Sequence, residues 1–248
     1  MHQMKKPAIL LLAVLASALF IFATTRKSSS TKKVVTASAV VSVTTTNTNS
    51  NNASALFSEL HLGDAGLSAT VFNSALEGLQ KLDSKGVISK DDIITIVDFS
   101  QPSTQKRLYV LDLNNKQILF NTLVAHGKNS GGLWAKSFSN KTSSLKSSPG
   151  FYVTEDTYVG HNGYSLRLEG LEKNINDNAG KRAIVMHGAP YVDQSAISSL
   201  GYLGRSWGCP AVPEAQKEAI INTIKGGTCL FIYSPDKNYQ KRSTLLNS

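Results

Sequence analysis

Leu67, Phe72, Ala75, Leu76, Leu79 and Leu82 recur at helical spacing, which gathers apolar side chains on one face of a helix. Ser68 or Thr70 is placed to cap the start of that helix and Gly86 to end it. Beyond Gly86 the apolar period shortens to two, in residues 92–98 (DIITIVD), 107–113 (RLYVLDL) and 117–127 (QILFNTLVAHG), with a tight turn at Asn114 and Asn115. Further strand-like runs occupy 150–158, 164–170, 182–188 and 228–234, and residues 213–227 (PEAQKEAIINTIKGG) read as a helix stopped by glycine. Strands dominate, so the pattern predicts a mainly β domain with appended helices. The Gly-, Ser- and Asn-rich stretch 126–150 separates two of the strands, and an irregular segment of that length inside a compact domain usually lines a site.

A different pattern precedes the first helix. Met1 to Lys6 is short and basic and Pro7 to Ala23 is almost wholly apolar, the two regions of an export signal. The apolar run is shorter than the roughly 20 residues that cross a bilayer comfortably. Ile21 is a poor minus-three residue for cleavage after Ala23, so residues 1–23 are an export signal or an uncleaved N-terminal anchor closed by Arg26 and Lys27. Residues 24–53 are rich in Ser, Thr and Asn and carry no aromatic residue, which predicts a linker; their Val and Thr content leaves a first strand as the alternative. The folded part then comprises a helical segment, 54–90, a strand-rich domain, 91–236, and a tail, 237–248.

Charge changes the picture once it is divided along the chain. The 248 residues hold 26 Lys and Arg against 17 Asp and Glu, a net charge of +9. Lys5, Lys6, Arg26, Lys27, Lys32 and Lys33 all precede the first acid, so most of the excess lies in the N-terminal segment. The folded part is too nearly neutral for the clustered basic footprint that nucleic acid requires. A membrane enters only through the possible anchor.

Two cysteines are candidates for a nucleophile. Cys229 lies within an apolar alternation, where a thiol behaves as a small core hydrophobe. Cys209 lies in GRSWGCPAVPE (204–214), among glycines and prolines and ahead of the expected helix at 213, where backbone donors and a helix start would favour the thiolate. A Cys209–Cys229 disulfide is the alternative that an oxidising compartment permits. A cysteine nucleophile needs a base, and His126 and His187 each end a strand-like run and precede glycine. His187 is favoured by the short return from it to Cys209. The histidines show no ligand spacing, so no metal and no cofactor is implied.

His187-Gly188 followed by Ser206-Trp207-Gly208-Cys209 resembles the signature of the L,D-transpeptidase catalytic domain, the YkuD-like family. The resemblance extends through AHGKNSG, FSN, NDNA, RAIVMHGA and LGRSWGCPAVP, over roughly residues 67–234. It implies a β-sandwich with a short helical segment before it and Cys209 and His187 facing each other across a groove. Cys209 is then the nucleophile, His187 the base, and the Gly188 carbonyl the group that orients the imidazole. The N–H groups of Gly208 and Cys209 are the expected oxyanion donors, and Ser206, Trp207 and His126 are expected to line the groove. The commoner pattern has an arginine two residues after the cysteine where this chain has Ala211, and Arg205 is the expected substitute for holding a substrate carboxylate, with Arg167 and Arg182 as alternatives.

The resemblance implies acyl transfer on peptidoglycan stem peptides in the bacterial periplasm or cell envelope: a Cys209 thioester formed from a tetrapeptide with release of D-Ala, then crosslinking. L,D-carboxypeptidase trimming, an exported cysteine peptidase and a non-catalytic cell-wall-binding module are the alternatives.

Overall fold

The computed structural model describes residues 52–247. The expected export signal or anchor at 1–23 lies outside them, as does the linker expected at 24–53 apart from its last two residues. Residues 52–59 are helical (α1) and Ala69–Ser84 form α2. Ser68 caps α2 by accepting the Val71 N–H at 3.3 Å, and Gly86 leaves it at φ 64°, the left-handed conformation in which glycine is unstrained.

Eight strands follow: β1 (Lys90–Asp98), β2 (Leu108–Asp112), β3 (Gln117–Thr122), β4 (Gly150–Gly160), β5 (Gly163–Gly170), β6 (Val185–Ala189), β7 (Ala211–Pro213) and β8 (Thr228–Tyr233). Three further helices are α3 (Gln194–Leu200), α4 (Lys217–Ile224) and α5 (Lys237–Arg242). The turn between β2 and β3 is built by Asp112, whose carboxylate accepts from Asn115 N–H (2.8 Å) and Nδ2 (2.9 Å). The run expected at 117–127 is one strand only to Thr122; beyond it, Ala125 and Gly127 make isolated bridges.

The strands form one sheet in the order β3-β2-β1-β8-β4-β5-β6-β7. β1 runs parallel to β8 and β6 parallel to β7, and the other neighbours are antiparallel. The chain leaving β3 meets the far edge, because Ala125 bridges Ala211 of β7 and Gly127 bridges Ser206. The sheet therefore curls until its two ends are joined by residues 123–127, and a single sheet supplies both layers of the sandwich.

Period-two alternation sorts side chains between two cores. Ile94, Ile96, Tyr109, Leu111, Phe151 and Phe231 face α2, packing with Phe72, Leu76 and Leu79. Their neighbours in sequence, Val97, Leu108, Val110, Tyr152, Leu230 and Ile232, face the sandwich interior with Ile220, Ile221 and Ile224 of α4. Each fully buried side chain of this kind contributes about 1.5–3 kcal/mol. Helix α2 approaches β4 at Gly78, where a Cβ would lie 2.0 Å from the Phe151 ring, and Phe151 stacks on Phe231 at 4.2 Å.

The C-terminal residues join this core through Tyr239 and Leu245. They are held at a buried carboxylate: Glu172 accepts from the Phe151 N–H at 2.9 Å, from the Ser243 hydroxyl and from the Tyr239 hydroxyl at 3.4 Å. Burial raises the Glu172 carboxyl above the ordinary range against the pull of these donors.

Candidate active site

The parallel pair of β6 and β7 brings the motif residues together. His187 pairs with Ser165 of β5 on one side and with Ala211 of β7 on the other, and Cys209 stands two residues before Ala211. Gly208 takes φ 132°, and a Cβ there would fall 2.8 Å from the Lys146 carbonyl and 3.0 Å from the Ile184 side chain. Both the backbone angle and the close approach require glycine at this position.

Two serines hold the turn that carries Cys209. Ser206 is 5% exposed. Its hydroxyl donates to the Cys209 carbonyl at 2.6 Å and accepts the Gly208 N–H at 3.1 Å, so it faces the turn and not an open wall. Ser147, from the long 126–150 segment, donates from Oγ to the Gly208 carbonyl at 3.0 Å and accepts the Gly127 N–H at 3.0 Å. The segment expected to line a site is thus fastened to the backbone of the motif.

The two candidate histidines are held as opposite tautomers. His187, 4% exposed, has its Nδ1 2.8 Å from the Gly188 carbonyl. A carbonyl only accepts, so Nδ1 carries the proton and Nε2 keeps its lone pair. Burial lowers the imidazole pKa, with the Gly188 carbonyl and Glu214 pulling it back, so the ring is neutral at neutral pH. Gly188 has its own packing reason, since a Cβ would meet Glu214 Oε2 and the Lys217 side chain at 2.5 Å.

His126 is 1% exposed and its Nδ1 lies 2.8 Å from Arg107 Nη2. A guanidinium only donates, so Nδ1 accepts, and the proton sits on Nε2, which donates to the Gly131 carbonyl at 3.2 Å. Both ring nitrogens are engaged and neither is free to take a proton. Burial and the Arg107 charge lower its pKa from 6.5 to about 4. Between those values the unfolded chain binds the proton and the native chain does not, so stability falls as pH drops from about 6.5 to about 4. The loss is on the order of 3 kcal/mol. In His126→Gln this component of the acid dependence, read from urea midpoints across that range, is expected to disappear.

Cys209 is 8% exposed and packs into the sandwich-interior core. Burial raises its thiol above the ordinary value; the Val185 N–H, Arg182 and the Cys209 N–H pull it down. The thiol donates to the Ala183 carbonyl at 3.7 Å. Residues 211–213 are strand β7, a 3₁₀ turn covers Glu214–Gln216, and α4 begins only at Lys217. The helix start expected beside the thiol is therefore absent, because Ala211–Pro213 pair in the sheet before the chain turns helical. Cys209 and Cys229 are both free. Cys229 lies in the core under α2 and Cys209 in the other core, so the sheet separates them.

Trp207 is 77% exposed, two residues from the thiol. Arg205 donates to the Gly131 carbonyl at 3.3 Å and lies over the Tyr202 ring at 5.0 Å. Arg167, exposed on β5, lies over the Tyr158 ring of β4 at 4.2 Å. Arg182 is bonded into the 139–148 loop, donating to the Ser139 carbonyl at 2.8 Å. Sequence reasoning missed Arg107 and Ser147. Arg107 is fully buried, and donates to the Val124 carbonyl (3.0 and 3.2 Å) and the Gln101 carbonyl (2.8 Å) beneath His126. An arginine opening a strand-like run looks like any solvated one, so no sequence signal marked it.

The L,D-transpeptidase catalytic-domain family model matches residues 64–233, more than half of the chain. Among solved structures, an L,D-transpeptidase from Mycobacterium smegmatis is similar at 10% identity, covering 58% of this chain and 59% of that one, with a TM-score of 0.38. The helical cell shape determining protein of Campylobacter jejuni is similar at 16% identity, covering 70% and 61%, with a TM-score of 0.39. An L,D-transpeptidase from Stackebrandtia nassauensis is similar at 13% identity, covering 66% of each chain, with a TM-score of 0.35. The match thus spans 59% of the length of the mycobacterial protein. No curated protein sequence matches the chain. On the match over residues 64–233, which holds the His187-Gly188 and Ser206–Cys209 motifs, the chain belongs to the L,D-transpeptidase catalytic-domain family.

Proposed function

We propose that the protein is a peptidoglycan-modifying L,D-transpeptidase of the cell envelope, exported by its N-terminal segment, with Cys209 as nucleophile and His187 as base. The observation that carries the reading is the His187 tautomer: Nδ1–H is fixed on the Gly188 carbonyl at 2.8 Å, which leaves Nε2 as the proton acceptor on the strand beside the Cys209 turn.

In this reading the thiol leaves the Ala183 carbonyl and gives its proton to His187 Nε2, while the sulfur attacks the carbonyl carbon at the L-centre of the diamino acid in a stem tetrapeptide. The oxyanion is met by the Cys209 N–H and by the Gly208 N–H once Ser206 Oγ releases it. Collapse breaks the bond to the terminal D-alanine, whose amine takes the proton from His187, and a thioester remains. An amine from a neighbouring stem, deprotonated by His187, then attacks the thioester to form a 3-3 crosslink and returns the thiolate. Water in its place gives L,D-carboxypeptidase trimming. A cysteine peptidase is disfavoured, because the group on Nδ1 is a backbone carbonyl and not an Asn or Asp side chain. A silent wall-binding module would have no use for the free Nε2 lone pair.

Arg205 holds the stem carboxylate in this scheme, since one backbone carbonyl and the Tyr202 face leave donors of its fork unspent. Trp207 offers an exposed apolar surface beside the scissile bond, whereas Ser206 and His126 act by holding the turn. Arg205→Lys is expected to slow acylation by tetrapeptide about tenfold while leaving Cys209 alkylation by iodoacetamide unchanged; an equal fall in both would remove Arg205 from substrate binding. The direct test is mass spectrometry of the protein incubated with disaccharide tetrapeptide. The expected result is a thioester adduct on Cys209 and released D-alanine, and the absence of both rejects the reading.

A further inference from the structure

Arg182 precedes β6 and is half-buried behind the nucleophile turn. It makes no ion pair among the described residues. Its Nη1 donates to the Ser139 carbonyl at 2.8 Å and to the Ser148 hydroxyl, and its Nη2 to the Lys146 carbonyl and the Ser144 hydroxyl. All four acceptors are neutral, so the guanidinium is solvated by the loop but its charge is not balanced. The same Nη2 lies 3.2 Å from the point where a Cβ on Gly208 would sit, directly against the backbone that carries Cys209. A cation bound by neutral oxygens retains a field that a salt bridge would cancel, and that field acts strongly where water is excluded.

We propose that Arg182 is the counter-charge of the Cys209 thiolate, a positioning residue that clamps loop 139–148 onto the nucleophile turn and leaves its positive charge for the sulfur. The inference rests on Cys209 being the nucleophile and goes beyond that reading by assigning what offsets the burial of its anion. Ala183, immediately after Arg182, takes φ 51°, and its carbonyl receives the thiol hydrogen, so one short segment supplies an acceptor for the neutral thiol and a charge for the thiolate. The coupling runs both ways: burial lowers the Arg182 pKa while Tyr152 and then Cys209 pull it back up, and burial raises the Cys209 pKa while the Val185 N–H and then Arg182 pull it back down. Among the described residues, the titratable groups around the sulfur are Arg182, the Tyr191 hydroxyl, which burial and Cys209 push up to about 12, and His187 on the neighbouring strand β6. Among the described residues, none of the charges acting on the Cys209 thiol is a carboxylate, and Glu214 acts on His187 instead. Arg182 is then a fixed cation beside the sulfur, present whether or not the imidazole carries a proton.

The test is the pH profile of Cys209 alkylation by iodoacetamide in the full chain, resolved by peptide mass spectrometry, with Cys229, which is fully buried, as internal reference. Arg182→Gln keeps amide donors for the loop but removes the charge. It is expected to displace the profile upward and to slow alkylation at neutral pH about tenfold, the effect of one pKa unit on the thiolate fraction. Arg182→Lys keeps the charge and is expected to hold the wild-type profile. An unchanged profile in Arg182→Gln, or an equal upward displacement in both variants, overturns the proposal. Should Arg182→Gln fail to fold, Arg182→Lys decides alone, a retained profile supporting the assignment and an upward shift rejecting it. Because alkylation needs no stem peptide, failure of tetrapeptide to acylate the wild type would reject the functional reading and leave this result standing.

Discussion

Cys209→Ala is expected to yield a folded protein that forms no adduct with disaccharide tetrapeptide and releases no D-alanine, a loss of about 10⁵- to 10⁶-fold in the acylation rate. The loss is large because the covalent route has no second entrance: Cys229, the other thiol, is fully buried in the core under α2, on the far side of the sheet. Folding survives because the substitution removes one sulfur from a site that retains Val185 and Ile184 as neighbours in the same core. The cost is on the order of 1 kcal/mol, readable as a small fall in the urea midpoint. Cys229→Ala should behave inversely, keeping acylation and losing a comparable or larger share of stability, because burial has already pushed its thiol far above any useful range. A Cys209→Ala protein that still liberates D-alanine would sink the proposed chemistry. A Cys209→Ala protein that no longer unfolds cooperatively would show instead that the thiol is a keystone of the sandwich interior.

How much of this was legible beforehand depends on the kind of signal each element carries. Helix α2 and strands β1, β2, β4, β5, β6 and β8 were readable because each buries one or both faces, and burial writes a period into the residues. Helix α3 buries no residue, so QSAISSL has no apolar stripe to betray it. Strand β7 is three residues long and includes Pro213, too short for any alternation, and its absorption of residues 211–213 is why α4 starts later than expected. Helix α5 is polar except for Tyr239, whose burial comes from the core it docks on. The break after Thr122 comes from the curled sheet, since residues 123–127 leave β2 in order to reach β7.

At the site, Cys209 and His187 stood out because their glycine neighbours serve the packing. Gly208 lies against the Lys146 carbonyl and Gly188 against Glu214 and Lys217. The state of the thiol is not legible from position alone. Proximity to glycines and a helix start suggested a favoured thiolate, whereas burial dominates and raises the pKa, and the opposing charge comes from Arg182, 27 residues earlier in the chain. The histidine tautomers were equally out of reach, because they depend on which partner each Nδ1 meets: a neighbouring carbonyl for His187, and a guanidinium 19 residues away for His126.

That contrast makes the histidine pair the sharpest discriminating test of the mechanism. His187→Gln is expected to slow acylation by tetrapeptide about 10³-fold, since no other described residue offers a free lone pair on the strand beside the Cys209 turn. His126→Gln is expected to slow it less than about tenfold and to act mainly on stability, by withdrawing the acceptor from the buried Arg107 guanidinium. The pH profiles separate the roles further. In the wild type the base must be neutral, so kcat/KM falls as pH drops through the His187 pKa, and burial places that acid limb below the ordinary imidazole value of 6.5. In His187→Gln the limb should vanish and the residual rate should climb with pH, because the thiolate must then form without a neighbouring base, against a burial that holds the thiol above its ordinary 9.0. His126→Gln should keep the wild-type limb. Were His126→Gln to abolish the acid limb while His187→Gln preserved both limb and rate, the base would have to be reassigned to the imidazole that Arg107 holds, and Arg107 would have to release it during turnover.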